Sequence, residues 1–181
     1  MQRKIVVFIA DSLDGCIATK EDSLDWLEET PGEGDNGYAA FLETVGTILM
    51  GRRTYDWLLD KLGPEGFPYR AQKCYVFSHA SLVPDGRVEF VQEPLRPFVE
   101  HLQEKTGKNI WLVGGSGLIE SFRAEGLIDE WIITIAPTLL GEGIPLFLPH
   151  TGEERLELLD IRRYGQFAVL HYKRAEQRIQ E

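Results

Sequence analysis

Leu112-Val113-Gly114-Gly115-Ser116-Gly117-Leu118 runs from an apolar segment through three glycines into a segment of helical spacing. Residues 110–113 read as a buried strand and residues 118–124 as a helix. Three glycines in four positions between them leave room for a pyrophosphate to approach the backbone. The spacing is neither G-x-G-x-x-G nor that of a P-loop, because no lysine follows. A lone Gly-Gly turn is more often structural than functional. A second turn of the same kind changes the balance. Met50-Gly51-Arg52-Arg53-Thr54-Tyr55 follows a buried strand at 47–50 and opens a helix at 55–62, which stops at Gly63-Pro64. Gly51 permits a tight turn, and the N–H groups of the helix start, with Thr54 as candidate cap, favour an anion. Arg52 and Arg53 add charge-assisted contacts suited to a phosphate. Two glycine-bearing turns, one carrying arginines, point to a nucleotide.

Outward from these turns, strand and helix alternate. Residues 5–9 form an apolar, β-branched run that reads as a buried strand, and 11–35 a long polar connection. A helix is expected at 37–44, strands at 74–77 and 88–91, a helix at 94–105 and a strand at 130–136. Residues 155–164 and 167–174 flank Gly165-Gln166 as an antiparallel hairpin. The predicted fold is α/β, a central mixed, mostly parallel sheet flanked by helices, with an antiparallel C-terminal hairpin. No repeat, low-complexity tract or linker divides residues 1–181, which are expected to form one domain. In such sheets ligands bind beyond the carboxyl ends of the strands, so those loops carry the chemistry.

Three more loops fall there. Tyr75-Val76-Phe77-Ser78 ends a strand in a hydroxyl at the edge that holds Gly51, where Ser78 can share a phosphate with the arginines. Ala10-Asp11-Ser12-Leu13-Asp14-Gly15-Cys16-Ile17-Ala18, followed by Asp25-Trp26, puts carboxylates and an aromatic beyond the first strand. Ile135-Ala136-Pro137-Thr138-Leu139-Leu140-Gly141-Glu142-Gly143 reads either as the wall of a pocket or as the cover for a dimer partner.

Composition excludes several classes. The net charge of −10 argues against nucleic acid and anionic membranes as partners, so an anionic ligand needs a local basic island. Six apolar residues after Lys4 are too few for a signal peptide or a membrane span, which makes the expected location cytoplasmic. Cys16 and Cys74 form no CxxC pair and read as buried thiols. The four histidines have no metal-ligand spacing, so no metal is expected, and no GxSxG or Cys/His pairing supports a hydrolase.

Taken in order, these segments resemble the dihydrofolate-reductase-like superfamily. The closer similarity is to the C-terminal reductase domain of the bifunctional riboflavin-biosynthesis deaminase-reductase and to its stand-alone relatives. It runs from Lys4 to about Tyr172, carried by the loops quoted above together with Leu127-Ile128-Asp129-Glu130 and Pro145-Leu146-Phe147. The resemblance implies NADPH as cofactor. It places Gly51, Arg52, Arg53, Thr54 and Ser78 on the adenosine 2′-phosphate and phosphates, and Gly114, Gly115, Ser116 and Gly117 on the pyrophosphate, with a cis Gly-Gly bond. It sets Ala10 and Ile17 beside the nicotinamide and likens Trp26 to the family's active-site tryptophan. Asp14, in the motif shared with the riboflavin reductases, is the first candidate for the carboxylate near the substrate, Asp35 the second and Asp25 the third.

The riboflavin enzymes carry an Ala-Asp-Asp-Pro segment and a nearby arginine that binds the ribose phosphate; here the corresponding stretch reads Arg53-Thr54-Tyr55-Asp56-Trp57, with no such segment. The expected activity is hydride transfer from NADPH to a C=N or C=O of a small heterocyclic or sugar-derived substrate. Folate-type reduction, non-catalytic nucleotide binding and a purely structural oligomer are the alternatives. By analogy, residues 137–145 are expected to form a homodimer contact.

Overall fold

The computed structural model describes residues 2–80 and 86–175. Its strands are β1 (Ile5–Ser12), β2 (Cys16–Ala18), β3 (Val45–Gly51), β4 (Lys73–Phe77), β5 (Glu89–Val91), β6 (Asn109–Gly114), β7 (Glu130–Ala136), β8 (Ile144–Pro145), β9 (Leu156–Tyr164) and β10 (Phe167–Arg174). Its helices are α1 (Asp25–Glu28), α2 (Tyr38–Glu43), α3 (Arg52–Leu62), α4 (Leu95–Glu104) and α5 (Ser116–Ala124). Eight strands form one sheet in the order β5-β4-β3-β6-β1-β7-β10-β9, and β2 and β8 pair separately. The first six strands of that order run parallel, and the hairpin β9–β10 closes the sheet antiparallel on β7, as the sequence predicts.

The alternation of side chains along the strands builds two cores, one on each sheet face. Ile5 and Val7 of β1 pack with Leu49, Leu112, Phe98 and Val99 of α4, and Ile119 and Phe122 of α5. Val6 points the other way, to Phe41 of α2, Tyr55 and Leu58 of α3, and Trp111. Arg3 ties the amino-terminal ends together. Its buried guanidinium donates to Lys108 O (2.7 Å), Leu102 O (3.2 Å) and Thr47 Oγ1 (2.5 Å).

β2, α1, β8 and the start of α3 depart from the sequence reading. The polar connection at 11–35 contains β2 and α1, because the loop folds back so that Cys16 and Ala18 meet β8. Helix α3 starts at Arg52 rather than at 55, directly on the last residue of β3, so no linker separates strand end from helix start. Both cysteines are buried and unpaired, as expected. Among the described residues no helix is long and apolar enough to cross a membrane, and no cluster of His, Cys, Asp and Glu could hold a metal ion.

The ladders place the site. β1 pairs with β7 through Ser12, but with β6 only over Ile5–Val7. β6 instead follows β3 as far as Met50 opposite Gly114. The two halves of the sheet therefore part between the carboxyl ends of β1 and β6, where an open α/β sheet receives its ligands.

Candidate functional site

The two glycine turns stand side by side at the ends of β3 and β6. A Cβ on Gly51 would lie 3.8 Å from Gly114 O and 3.9 Å from Gly115 N, and one on Gly115 would lie 3.6 Å from Thr54 Oγ1. The Gly114–Gly115 peptide is cis. Gly51 and Gly115 are the N-caps of α3 and α5, both extended, and neither helix start has a side-chain cap or an acidic residue in its first turn. Two helix starts with open N–H groups thus meet at one place, the arrangement that binds phosphate. Gly51 pairs with Phe77, which brings Ser78 to the same edge. The surface between the turns is bare, with nothing within 4 Å of a Cβ on Gly117. A dinucleotide's phosphates fit these residues.

Both arginines are present at the α3 start and engaged by carboxylates. Arg52 Nε contacts both oxygens of Asp56 (2.6 and 2.7 Å), and Arg53 Nη2 both oxygens of Asp22 (2.8 Å each). Such exposed pairs contribute roughly 0–1 kcal/mol, so a phosphate can displace either carboxylate. Trp57 Nε1 also donates to Asp22 O at 3.1 Å, which docks the 19–23 loop on α3. Ser116 is buried, and its hydroxyl donates to Pro145 O at 2.5 Å, so it braces β8 against the second turn.

Across β1 lies a cavity of about 440 Å³. Phe8, Ala10 and Thr134 form its floor on the α2 side of the sheet, Ala10 and Thr134 being register partners. Tyr38 and Phe167 stand at its sides, and the segment that precedes α2 contributes Glu28, Gly32, Gly34, Asp35 and Asn36 to the mouth. Phe8 is fixed by stacking on Phe41 (4.1 Å between centroids, 12° between planes) and by Trp111 edge-on at 6.1 Å.

The three carboxylates named from the sequence part company. Asp35 lines the cavity, where its oxygens accept N–H groups from Gly37 (3.0 Å) and Ala39 (2.7 Å). Asp14 does not line it. Its carboxylate accepts from Ser12 Oγ (2.5 Å), Leu140 N (3.1 Å) and Gly141 N (2.7 Å), and these three donors, the Ser12 hydroxyl foremost, pull its pKa down to about 2. Asp14 is thus an anchor joining the β1 turn to the 138–141 loop. Asp25 is exposed at the start of α1 and is absent from the lining. Ile17 packs against the α4–α5 core, on the other side of the sheet from the Ala10 cavity. Trp26 lies beside the lining residues Leu27 and Glu28, and its buried Nε1 has no partner.

Sequence reasoning passed over Phe8, Tyr38, Thr134 and Phe167, and left Asp11 of the first loop unranked among the candidate carboxylates. Asp11 is 7 % exposed, its Oδ1 is buried without a partner, and burial, aided by the nearby Asp14 charge, pushes its pKa up to about 6. The signal was present: residues 5, 7, 9 and 11 share a strand face, and only the last is polar.

Residues 3–170 match the family described as the RibD C-terminal domain. The chain is 46 % identical over 176 residues to the uncharacterized protein YwjB of Bacillus subtilis, covering 97 % of this chain and all of that one. It is 33 % identical to YyaP of the same organism, covering 93 % of each. Among solved structures it resembles a putative riboflavin biosynthesis protein from Shewanella sp. PV-4 (TM-score 0.86, 34 % identity, 97 % and 100 % of the two chains). Acinetobacter baumannii RibD shares the fold at TM-score 0.70 and 19 % identity, with 96 % of this chain covering 58 % of that one.

Proposed function

The chain belongs to the RibD C-terminal domain family, a reductase family, and from that membership we propose that it is an NADPH-dependent reductase of a small heterocyclic C=N or C=O compound. One observation carries the reading: two uncapped helix starts meet over bare glycine backbone at the ends of β3 and β6, next in the sheet to β1, whose carboxyl half floors a cavity. Gly51, Arg52, Arg53, Thr54 and Ser78 hold the 2′-phosphate end, and Gly114, Gly115, Ser116 and Gly117 the pyrophosphate. The bound cofactor supplies the hydride; the protein orients it and provides charge or a proton. Ala10 and Thr134 keep the floor flat, Phe8 and Tyr38 fix the plane of a ring, and Asp35 sets a carboxylate near the acceptor. Asp14 positions the loop that follows β7.

Folate-type reduction uses the same cavity and draws support from Asp35 in its lining. Leu13 and Leu139, 62 % and 71 % exposed on segments joined by the Leu13 N–H to Thr138 O bond, belong to the same proposal as a homodimer contact near residues 137–145. The test is calorimetric titration with NADPH and NADH at low and moderate salt, followed by NADPH oxidation with carbonyl and imine heterocycles. Tighter NADPH binding and turnover are expected. Equal affinity for the two cofactors overturns the assignment, and binding without oxidation of any acceptor leaves a nucleotide-binding protein.

A further inference from the structure

We propose that the Ala10 cavity selects planar ring compounds that are neutral or positively charged and carry no phosphate. This rests on the reading of that cavity as the substrate side, and it names the substrate class. The lining includes two carboxylates, Glu28 and Asp35, and three aromatic rings, but no Lys, Arg or His. Aromatic walls held in place by Phe41 and Trp111 suit a flat ring. Asp35 is held by two backbone N–H groups, and each of its oxygens retains acceptor capacity for a ring amino group or a protonated ring nitrogen.

An anion would find little to hold it there. The segment's amides at Glu33, Asn36, Gly37, Tyr38 and Ala39 are already donated to Asn36 Oδ1, Glu33 O, Asp35 Oδ1, Asp35 O and Asp35 Oδ2. Helix α2 is six residues long and its start is occupied by the Asp35 carboxylate. The hairpin whose tip closes on Pro31 carries Arg162, paired with Asp160, and Arg163, whose Nε donates to Gly165 O, and neither lines the cavity. A phosphate in the mouth would therefore face two carboxylates with no cation in the lining, on a protein of net charge −10. The division of labour is electrostatic. The α3 start carries Arg52 and Arg53, whereas the cavity lining carries Glu28 and Asp35.

Three probes share a ring and differ in charge: benzamidine (cation), benzamide (neutral) and phenyl phosphate (anion). Each is titrated at low salt into the ¹⁵N-labelled full chain, with and without NADPH. The expected result is shifts at the Gly32, Gly34 and Tyr38 amides, with benzamidine binding about tenfold more tightly than phenyl phosphate. That gap should shrink in 0.5 M salt and should fall about threefold or more in Glu28→Lys. Phenyl phosphate binding at these amides as tightly as benzamidine overturns the proposal, as does a failure of all three probes to shift them. Failure of NADPH to bind, with the probe order intact, overturns the reductase reading and leaves the charge selection standing.

Discussion

Asp11 offers a perturbation whose size follows from the structure. Its carboxyl is 7 % exposed, one oxygen has no partner, and its pKa is raised from 3.8 to about 6, chiefly by burial. Below pH 3.8 the folded and unfolded chains both carry the proton, and the group has no effect on stability. Between pH 3.8 and about 6 the unfolded chain releases the proton while the fold retains it, so stability falls as pH rises. Above about 6 the loss is complete, at about 3 kcal/mol for a shift of this size. Asp11→Asn cannot ionise and escapes that loss. The amide brings its own packing and hydrogen-bonding offset, but that offset does not vary with pH. The informative quantity is therefore the difference in unfolding free energy between variant and wild type, measured by urea unfolding from pH 3.5 to 7.5. Tryptophan fluorescence reports the transition, since the chain has four tryptophans. The difference should move in the variant's favour by about 2–3 kcal/mol, nearly all of it between pH 4 and 6. A difference constant to within about 0.5 kcal/mol across that range refutes the argument, because Asp11 would then titrate as an ordinary carboxylate. A change of opposite sign would mean that the folded state stabilises the charged form.

Four other outcomes follow from the site. Arg52→Ala or Arg53→Ala, whichever residue meets the 2′-phosphate, should weaken NADPH binding roughly ten- to a hundredfold and NADH binding hardly at all, by calorimetry. Gly115→Ala should fold, since its Cβ makes an ordinary 3.6 Å contact with Thr54 Oγ1, yet lose most NADPH affinity because the methyl fills the gap between the turns; wild-type affinity would make the turn merely structural. Asp35→Asn should slow single-turnover hydride transfer by roughly 10²–10⁴ with NADPH affinity kept. Asp14→Asn should instead lower stability through its lost contacts to Leu140 and Gly141, and a larger rate loss in Asp14→Asn than in Asp35→Asn would restore Asp14 as the carboxylate near the substrate.

The sequence by itself determined the order of the eight strands of the main sheet and of helices α2–α5, the mostly parallel sheet with its antiparallel hairpin, and the glycine turns at 51 and 114–117. These are local features: apolar runs of strand length, helical spacing, and glycine where backbone must be bare. What it could not rank were the carboxylates. Asp11, Asp14, Asp25 and Asp35 share one acidic stretch, and nothing in their spacing separates them. Tertiary structure does so through burial and donors, which come from segments far along the chain. Leu140 and Gly141, 126 and 127 residues away, fix Asp14; the return of β2 against β1 accompanies the burial of Asp11; and Asp35 reaches the cavity because α2 starts beside Phe8. The cavity itself forms where the segment before α2 and the Phe167 end of β10 stand over the paired β1 and β7 residues Ala10 and Thr134, while β1 and β6 separate after Val7 and Leu112. Strand partners are chosen by long-range packing rather than by neighbouring residues, so that parting of the sheet, and the charge asymmetry on either side of it, came only from the folded chain.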